Sequence, residues 1–239
     1  MKTEEQFDLC RSFVQSSSFW HEGAPAPKTE GPVITISQAA GARGNPIAKE
    51  IVRQLRGNGS GHSHHHQPWT LFNQSLVRRV VEEHHLPKST VNFFPEDKTG
   101  QLADMVGQAL GLHPGVYTSV MKTAETVLRL AQTGHAVIVG RGGNFITRNI
   151  ERAVHVRLVG SLDVRIASFA RIYHVTPDEA AKEVERRDRA RKSYIAENFR
   201  QDINNPEAYD LVLNTDDFSD SSAARLIVIA LEEKILAAE

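Results

Sequence analysis

The run Val33-Ile-Thr-Ile-Ser-Gln-Ala-Ala-Gly-Ala-Arg-Gly-Asn-Pro-Ile-Ala-Lys49 constrains this chain more than any other segment. A β-branched stretch enters a loop of small residues, and an amphipathic helix opens directly after it. That order is how a phosphate-binding loop is built. Small residues let backbone N–H groups approach phosphate oxygens, and the helix N-terminus adds its positive dipole end. The loop departs from the common pattern G-x-x-x-x-G-K-[ST], which would need glycines at 38 and 43, lysine at 44 and a hydroxyl at 45. The chain has Gln38, Arg43, Gly44 and Asn45.

The remaining periodicity alternates strand and helix. Val33–Ser37 is the first strand, and Pro46 opens a helix that carries Ile47, Ile51, Val52 and Leu55. Trp69–Phe72 is a short strand. Helices are predicted around Leu76–Val81, Leu102–Leu110 and Val116–Gln132. Ala136–Val139 and Ala153–Val159 are further strands, the second with Val154, Val156 and Leu158 on one face. Ser161 caps a helix over Leu162–Tyr173. Thr176-Pro-Asp-Glu179 starts another, which runs to about Phe199. Asp210–Asn214 is the last strand and Ser219–Leu236 the terminal amphipathic helix. This alternation predicts an α/β fold with a parallel sheet covered on both faces, and ligands at the carboxyl ends of its strands. Ser37–Asn45 and Gly140–Gly143 both lie at such ends, which predicts one shared site. Residues 1–31 read as an N-terminal arm, a helix over Glu4–Gln15 followed by a Ser/Gly/Pro-rich linker, and residues 32–239 as the domain.

Composition narrows the class. Lys and Arg total 28 against 29 acids, for a net charge of −1, which excludes a uniformly basic nucleic-acid coat. The single cysteine, Cys10, excludes an intrachain disulfide. No stretch is long and apolar enough to span a bilayer, and the N-terminus is polar and acidic. A soluble, cytoplasmic protein is expected, with neither nucleic acid nor membrane as partner.

Several segments, in order, carry a resemblance. They are Ile34-Thr-Ile-Ser37 with Gly41–Asn45, Val137-Ile-Val-Gly-Arg-Gly-Gly-Asn-Phe-Ile146, and Val154-His-Val-Arg-Leu-Val-Gly160. Arg187-Asp-Arg-Ala-Arg-Lys-Ser-Tyr194 and Asn205-Pro-Glu-Ala-Tyr-Asp-Leu-Val-Leu-Asn-Thr215 complete the series. Over roughly residues 33–235 the chain resembles the cytidylate kinase-like family, a branch of the P-loop nucleoside-monophosphate kinases. The resemblance implies a three-layer, Rossmann-like P-loop kinase fold. It further implies a helical acceptor-side insert at about 73–133 and an arginine-bearing lid at about 176–205. Transfer of the ATP γ-phosphate to a small nucleotide, with magnesium, is the implied activity.

Candidate site residues follow. Ser37, Gly41, Ala42, Arg43, Gly44 and Asn45 form the expected phosphate cradle, with Arg43 placed to supply the charge of the missing lysine. Arg141 stands where related kinases grip the acceptor's phosphate, a task suited to the guanidinium fork. Arg129 is a second expected phosphate contact. Cytidylate kinases carry Gly-Arg-Asp where this chain has Gly140-Arg141-Gly142, so an acceptor-recognising carboxylate is missing. In the lid run Arg186–Lys192, Arg187 and Arg191 share a helix face and are expected over the transition-state charge. Asp188 is expected to orient the lid, and Arg189 is a lesser member. No metal site is expected within the protein. Asn73 stands where relatives have an acid, so Mg²⁺ is expected to arrive with ATP and be held by its phosphates. The loop His62-Ser-His-His-His66 reads as an insertion able to bind metal only adventitiously.

Three readings stay open: a nucleoside-monophosphate kinase, a nucleotide-binding sensor that has lost catalysis, and a kinase with a non-nucleotide acceptor.

Overall fold

Alternation along the central strand, β1 (Val33–Gln38), sets the layers. Ile34 and Ile36 point to one face, where Ile47 and Ile51 of helix α1 (Gly44–Gly57) pack with Ile227 and Leu231 of helix α6 (Asp220–Ala237). Val33 points to the other face, against Ala124, Val127 and Leu128 of α2 (Gly115–Thr133) and Ile146 of α3 (Gly143–Ile146). The computed structural model describes residues 29, 31–57, 69–73 and 115–237, excepting the side chains of 115–122 and 125. The other strands are β2 (Thr70–Phe72), β3 (Ala136–Val139), β4 (Ala153–Val159) and β5 (Leu211–Asn214). All five strands are parallel, in the order β2-β3-β1-β4-β5.

That order places the ligand crevice. β1 lies between β3 and β4, and the chain crosses β1 on its way from one to the other. Connections leave the carboxyl ends of these strands in opposite directions, and a cleft opens there. Two helices follow β4: α4 (Leu162–Tyr173) and α5 (Pro177–Phe199). The start of α5 is the expected one. Glu179 N–H donates to Thr176 Oγ1 (3.3 Å) and Thr176 N–H donates to the Glu179 carboxylate (2.9 Å), a reciprocal cap.

The expected strands and helices that lie among the described residues are present, with ends shifted by a residue or two. One local expectation is corrected. Ser161 occupies the cap position of α4, but its hydroxyl makes no capping bond. The Asp216 carboxylate reaches across from the β5–α6 connection and accepts the Ser161 N–H instead, at 3.0 and 3.1 Å. The helices expected over Glu4–Gln15, Leu76–Val81 and Leu102–Leu110 lie outside the described residues, as do the His62–His66 loop and all but the end of the N-terminal arm.

β4 also carries polar groups into the sheet. His155 is 6% exposed; its Nδ1 lies 2.8 Å from Thr35 Oγ1 on β1. Burial pulls its pKa from 6.5 down to about 4. In the unfolded chain the imidazole takes its proton as pH falls through 6.5. The folded protein resists protonation until about pH 4. Stability should therefore be full above pH 6.5 and decline between 6.5 and 4. This site contributes roughly 3 kcal/mol to the decline. Urea denaturation at pH 7.5 and 4.5 checks this: the loss should shrink by about that amount in His155→Asn. An unchanged loss would remove His155 as its source.

Candidate phosphate-binding site

The loop after β1 is held by its backbone. Ala39 N–H donates to Leu158 O (2.9 Å), so the parallel ladder continues one residue past β1, and Ala42 N–H closes a turn onto Ala39 O (3.1 Å). Gly41 sits at φ +83°, and a Cβ there would lie 2.2 Å from the Arg165 carbonyl oxygen. A backbone atom cannot yield as a side-chain tip can, so the turn needs glycine.

Two of the loop's amides are held by side chains. Ala40 N–H donates to Asp188 Oδ1 (2.7 Å) and Gly44 N–H to Gln38 Oε1 (2.6 Å). The Gln38 amide oxygen thus covers the first N–H of α1, the group an anion at this helix end would use. Asp188 is a clamp. Its Oδ2 accepts from Arg165 Nη1 (2.7 Å), which also donates to Ala40 O (2.9 Å). One carboxylate therefore joins α5 to the loop and, through Arg165, to α4.

The arginines divide between this cleft and other tasks. Arg43 does not face the cradle. Its guanidinium turns into the β5–α6 connection, where it pairs with Asp220 (2.8 Å) and donates to the Phe218 (2.7 Å) and Thr215 carbonyls. Arg187 lies between α4 and α5. It stands 5.0 Å from the Phe169 ring centre and 5.2 Å from that of Tyr173, with Nε 2.6 Å from Glu183. Arg186, first, and Arg187 hold the Glu183 carboxyl down to about 2. Arg191 differs: it borders the cleft and donates to Gln38 O at 3.3 Å. Arg189 is at the rim, paired with Glu185 at 3.3 Å. The pair expected on one helix face is thus divided between a packed seam and the cleft.

Arg141 stands at the end of β3 in the left-handed region, φ +63°. It is near Tyr194, whose phenol pKa is raised by burial and pulled back by the Arg141 charge. Neither Arg141 nor Arg129, which is exposed on α2, borders the cleft beneath α5. Gly142 explains its own identity. Its φ is +67°, and a Cβ there would meet the Phe199 ring at 2.6 Å. The aromatic end of α5, stacked on Phe145, fills the space where a side chain at 142 would stand.

The cleft is a cavity of about 660 Å³ between the loop, the end of β4 and the inner face of α5. Its basic lining is Arg157, Arg165, Lys182, Arg189, Arg191 and Lys192; Glu185 and Asp188 are its acids. Ser37 meets it from below, its Oγ accepting from Arg157 Nη1 (2.9 Å) with the Tyr209 hydroxyl 3.4 Å away. Arg157 and Arg165 were absent from the sequence expectations. A signal for Arg157 existed: it alternates with the apolar residues of β4, two places from His155, on the face opposite Val154, Val156 and Leu158. Arg165 sat inside an ordinary amphipathic helix and had none.

Among the described residues, no group of three or more His, Cys, Asp or Glu side chains is placed to hold a metal ion. Asn45 Oδ1 is buried without a hydrogen-bond partner. No described helix is long and apolar enough to cross a membrane.

A parallel sheet with a glycine loop on its central strand and an arginine-bearing helix clamped over that loop is consistent with a Rossmann-like P-loop kinase fold. The chain belongs to the cytidylate kinase-like family, whose sequence model matches residues 33–217. Its fold is similar to the crystal structure of an uncharacterized protein from Eubacterium ventriosum. That similarity has a TM-score of 0.60 at 14% identity, over 85% of this chain and 99% of that one. No curated protein matches the sequence.

Replacing Asp188 with Ala removes the acceptor of the Ala40 N–H and the counter-charge of Arg165, which keeps its bonds to the Ala40 and Gly160 carbonyls. The carboxylate is one-third exposed, so the expected loss is moderate, about 1–3 kcal/mol. Thermal denaturation of the variant checks it; an unaltered melting temperature would show that the clamp contributes nothing.

Proposed function

We propose that this chain is an ATP-dependent phosphotransferase that moves the γ-phosphate to a nucleoside monophosphate. The observation that carries this reading is the basic cavity beneath α5, which opens at the carboxyl ends of β1 and β4 and is bordered on the loop side by Gln38 and Ala39. Phosphoryl transfer needs positioning and charge stabilisation more than covalent chemistry, and clustered guanidinium groups supply both. An oxygen of the acceptor's phosphate attacks the γ-phosphorus, the bond to the β–γ bridging oxygen breaks, and ADP leaves. The acceptor is already an anion, so no general base is required.

In this reading α5 is the lid, and the loop amides from Gly41 to Asn45 hold donor phosphates once Gln38 turns off Gly44. Arg191 stabilises the transferring group. Arg141 and, from α2, Arg129 belong to the acceptor side. Arg43 and Arg187 serve as structural ties rather than catalytic groups. Mg²⁺ enters with ATP, held mainly by its phosphates, and no step is assigned to it.

One observation favours a second reading, a nucleotide-binding sensor without catalysis. Gln38 occupies the first amide of α1 while Arg43 is engaged at Asp220, which leaves the loop with neither an open helix end nor its own cation.

ADP release from Mg-ATP, measured against CMP, dCMP, UMP, AMP and GMP, separates the two. Acceptor-dependent turnover is expected. Arg191→Ala should lower kcat by about 100-fold or more. Arg187→Ala should lower the melting temperature and leave kcat within about threefold, since it removes a packed ring contact and no cavity charge. Equal kcat losses in the two variants would overturn this division of roles. ATP binding without turnover for any acceptor would favour the sensor. Absence of both binding and turnover would remove the nucleotide reading.

A further inference from the structure

The phosphotransferase reading makes no use of Arg157, the most enclosed cation of the cavity. It projects from β4 and is 7% exposed. Its Nη1 donates to Ser37 Oγ at 2.9 Å, and its Nη2 reaches Asn204 Oδ1 at 3.4 Å, near the limit of a hydrogen bond. Its buried Nε–H has no acceptor. Among the described residues Arg157 forms no ion pair, whereas Arg43 has Asp220 and Arg165 has Asp188. Burying a guanidinium with no counter-charge costs several kcal/mol. Burial pulls the Arg157 pKa down, with Tyr209 and Asp188 acting in the opposite sense; arginine stays charged at neutral pH regardless.

The surroundings specify what would compensate it. Arg165, Arg191 and Lys192 border the same cavity. Of its acids, Asp188 is engaged with Ala40 and Arg165, and Glu185 with Arg189. The unmet demand is for an anion with several oxygens. The loop itself offers no cation, because Gly44 stands at the lysine position and Arg43 faces away.

We propose that Arg157 is a phosphate-contacting residue: with Arg165 and Arg191 it takes the dianion of a phosphomonoester or of free phosphate in this cavity, supplying from β4 the charge that the loop lacks. A phosphate oxygen replaces the long contact to Asn204, and the planar fork presents adjacent N–H groups to two oxygens. The inference deepens the phosphotransferase reading and depends on it only for the carrier of the phosphate.

The test is isothermal titration of the full chain with inorganic phosphate and, separately, with CMP. Wild type should bind at least one of them. Arg157→Met should weaken that binding about tenfold or more, while the melting temperature without ligand stays level or rises, since an apolar side chain replaces a buried charge. Asn204→Asp is the second variant. It places a carboxylate beside Nη2 on an exposed residue, should leave the fold intact, and should weaken binding similarly; it decides the matter if Arg157→Met does not fold. Weakening with both probes assigns the site to the phosphoryl group itself, and weakening with CMP alone assigns it to a nucleotide-borne phosphate. Wild-type affinity in the folded variants, or no binding of either probe by wild type, would overturn the proposal. If ADP release is absent but Arg157→Met still abolishes phosphate binding, the phosphotransferase reading fails alone. If turnover is present and binding is indifferent to Arg157, this inference fails alone.

Discussion

The Asp188 carboxylate is the interaction on which the site depends. One oxygen accepts the Ala40 N–H of the loop, and the other accepts Arg165 of α4. Charge-assisted bonds of this kind are about twice as strong as neutral ones, and here they join the loop, α4 and α5 at one point, with the Arg165–Ala40 O and Arg191–Gln38 O bonds and the Arg187 stack on Phe169 and Tyr173 beside them. With α5 fixed in this way, the face carrying residues 185, 188 and 192 closes over the loop. The neighbouring stripe, Ala180, Val184 and then Arg187, lies against α4. Arg187 and Arg191 are one turn apart, yet they serve different surroundings because the clamp sets the rotation of the helix.

The charge logic of the loop follows. A phosphate loop ordinarily carries its own cation. Here that position holds Gly44, and Arg43 ties the loop to the β5–α6 connection instead. Cationic character comes from elsewhere: β4 through Arg157, α4 through Arg165 and α5 through Arg191. A cleft built in this way depends on tertiary assembly for its field, since no segment alone holds more than part of it. The Gln38 side chain, bonded to the first amide of α1, adds an internal occupant at the point where loop and helix would meet an anion.

Much of the fold was legible in the sequence. β3, β4 and α4 have the limits expected from periodicity and flanking signals, and the Thr176–Glu179 cap was readable as a helix start. These features are local, set by side-chain alternation and by bonds three residues apart. The Ser161 cap failed as a local expectation: its hydroxyl makes no capping bond, and the helix start is tied instead through the Ser161 N–H to a distant carboxylate, Asp216. The site was less legible. Asp188, expected from its place on the helix to orient the lid, bonds the Ala40 N–H and Arg165. Arg43 is contiguous with the loop, yet it points away because its partners lie more than 170 residues along the chain. Gly142 read as a missing carboxylate. Its cause is the Phe199 ring, which only the folded chain places there.

The sequence by itself determined the order of strands and helices, the faces that α1 and β4 bury, and the position of a glycine turn at the end of the central strand. Those follow from steric and hydrophobic rules that act over a few residues. Tertiary structure alone decided which guanidinium groups share the cleft. A long, charged side chain takes its direction from the nearest unmet acceptor, and those acceptors are brought near only when distant elements pack.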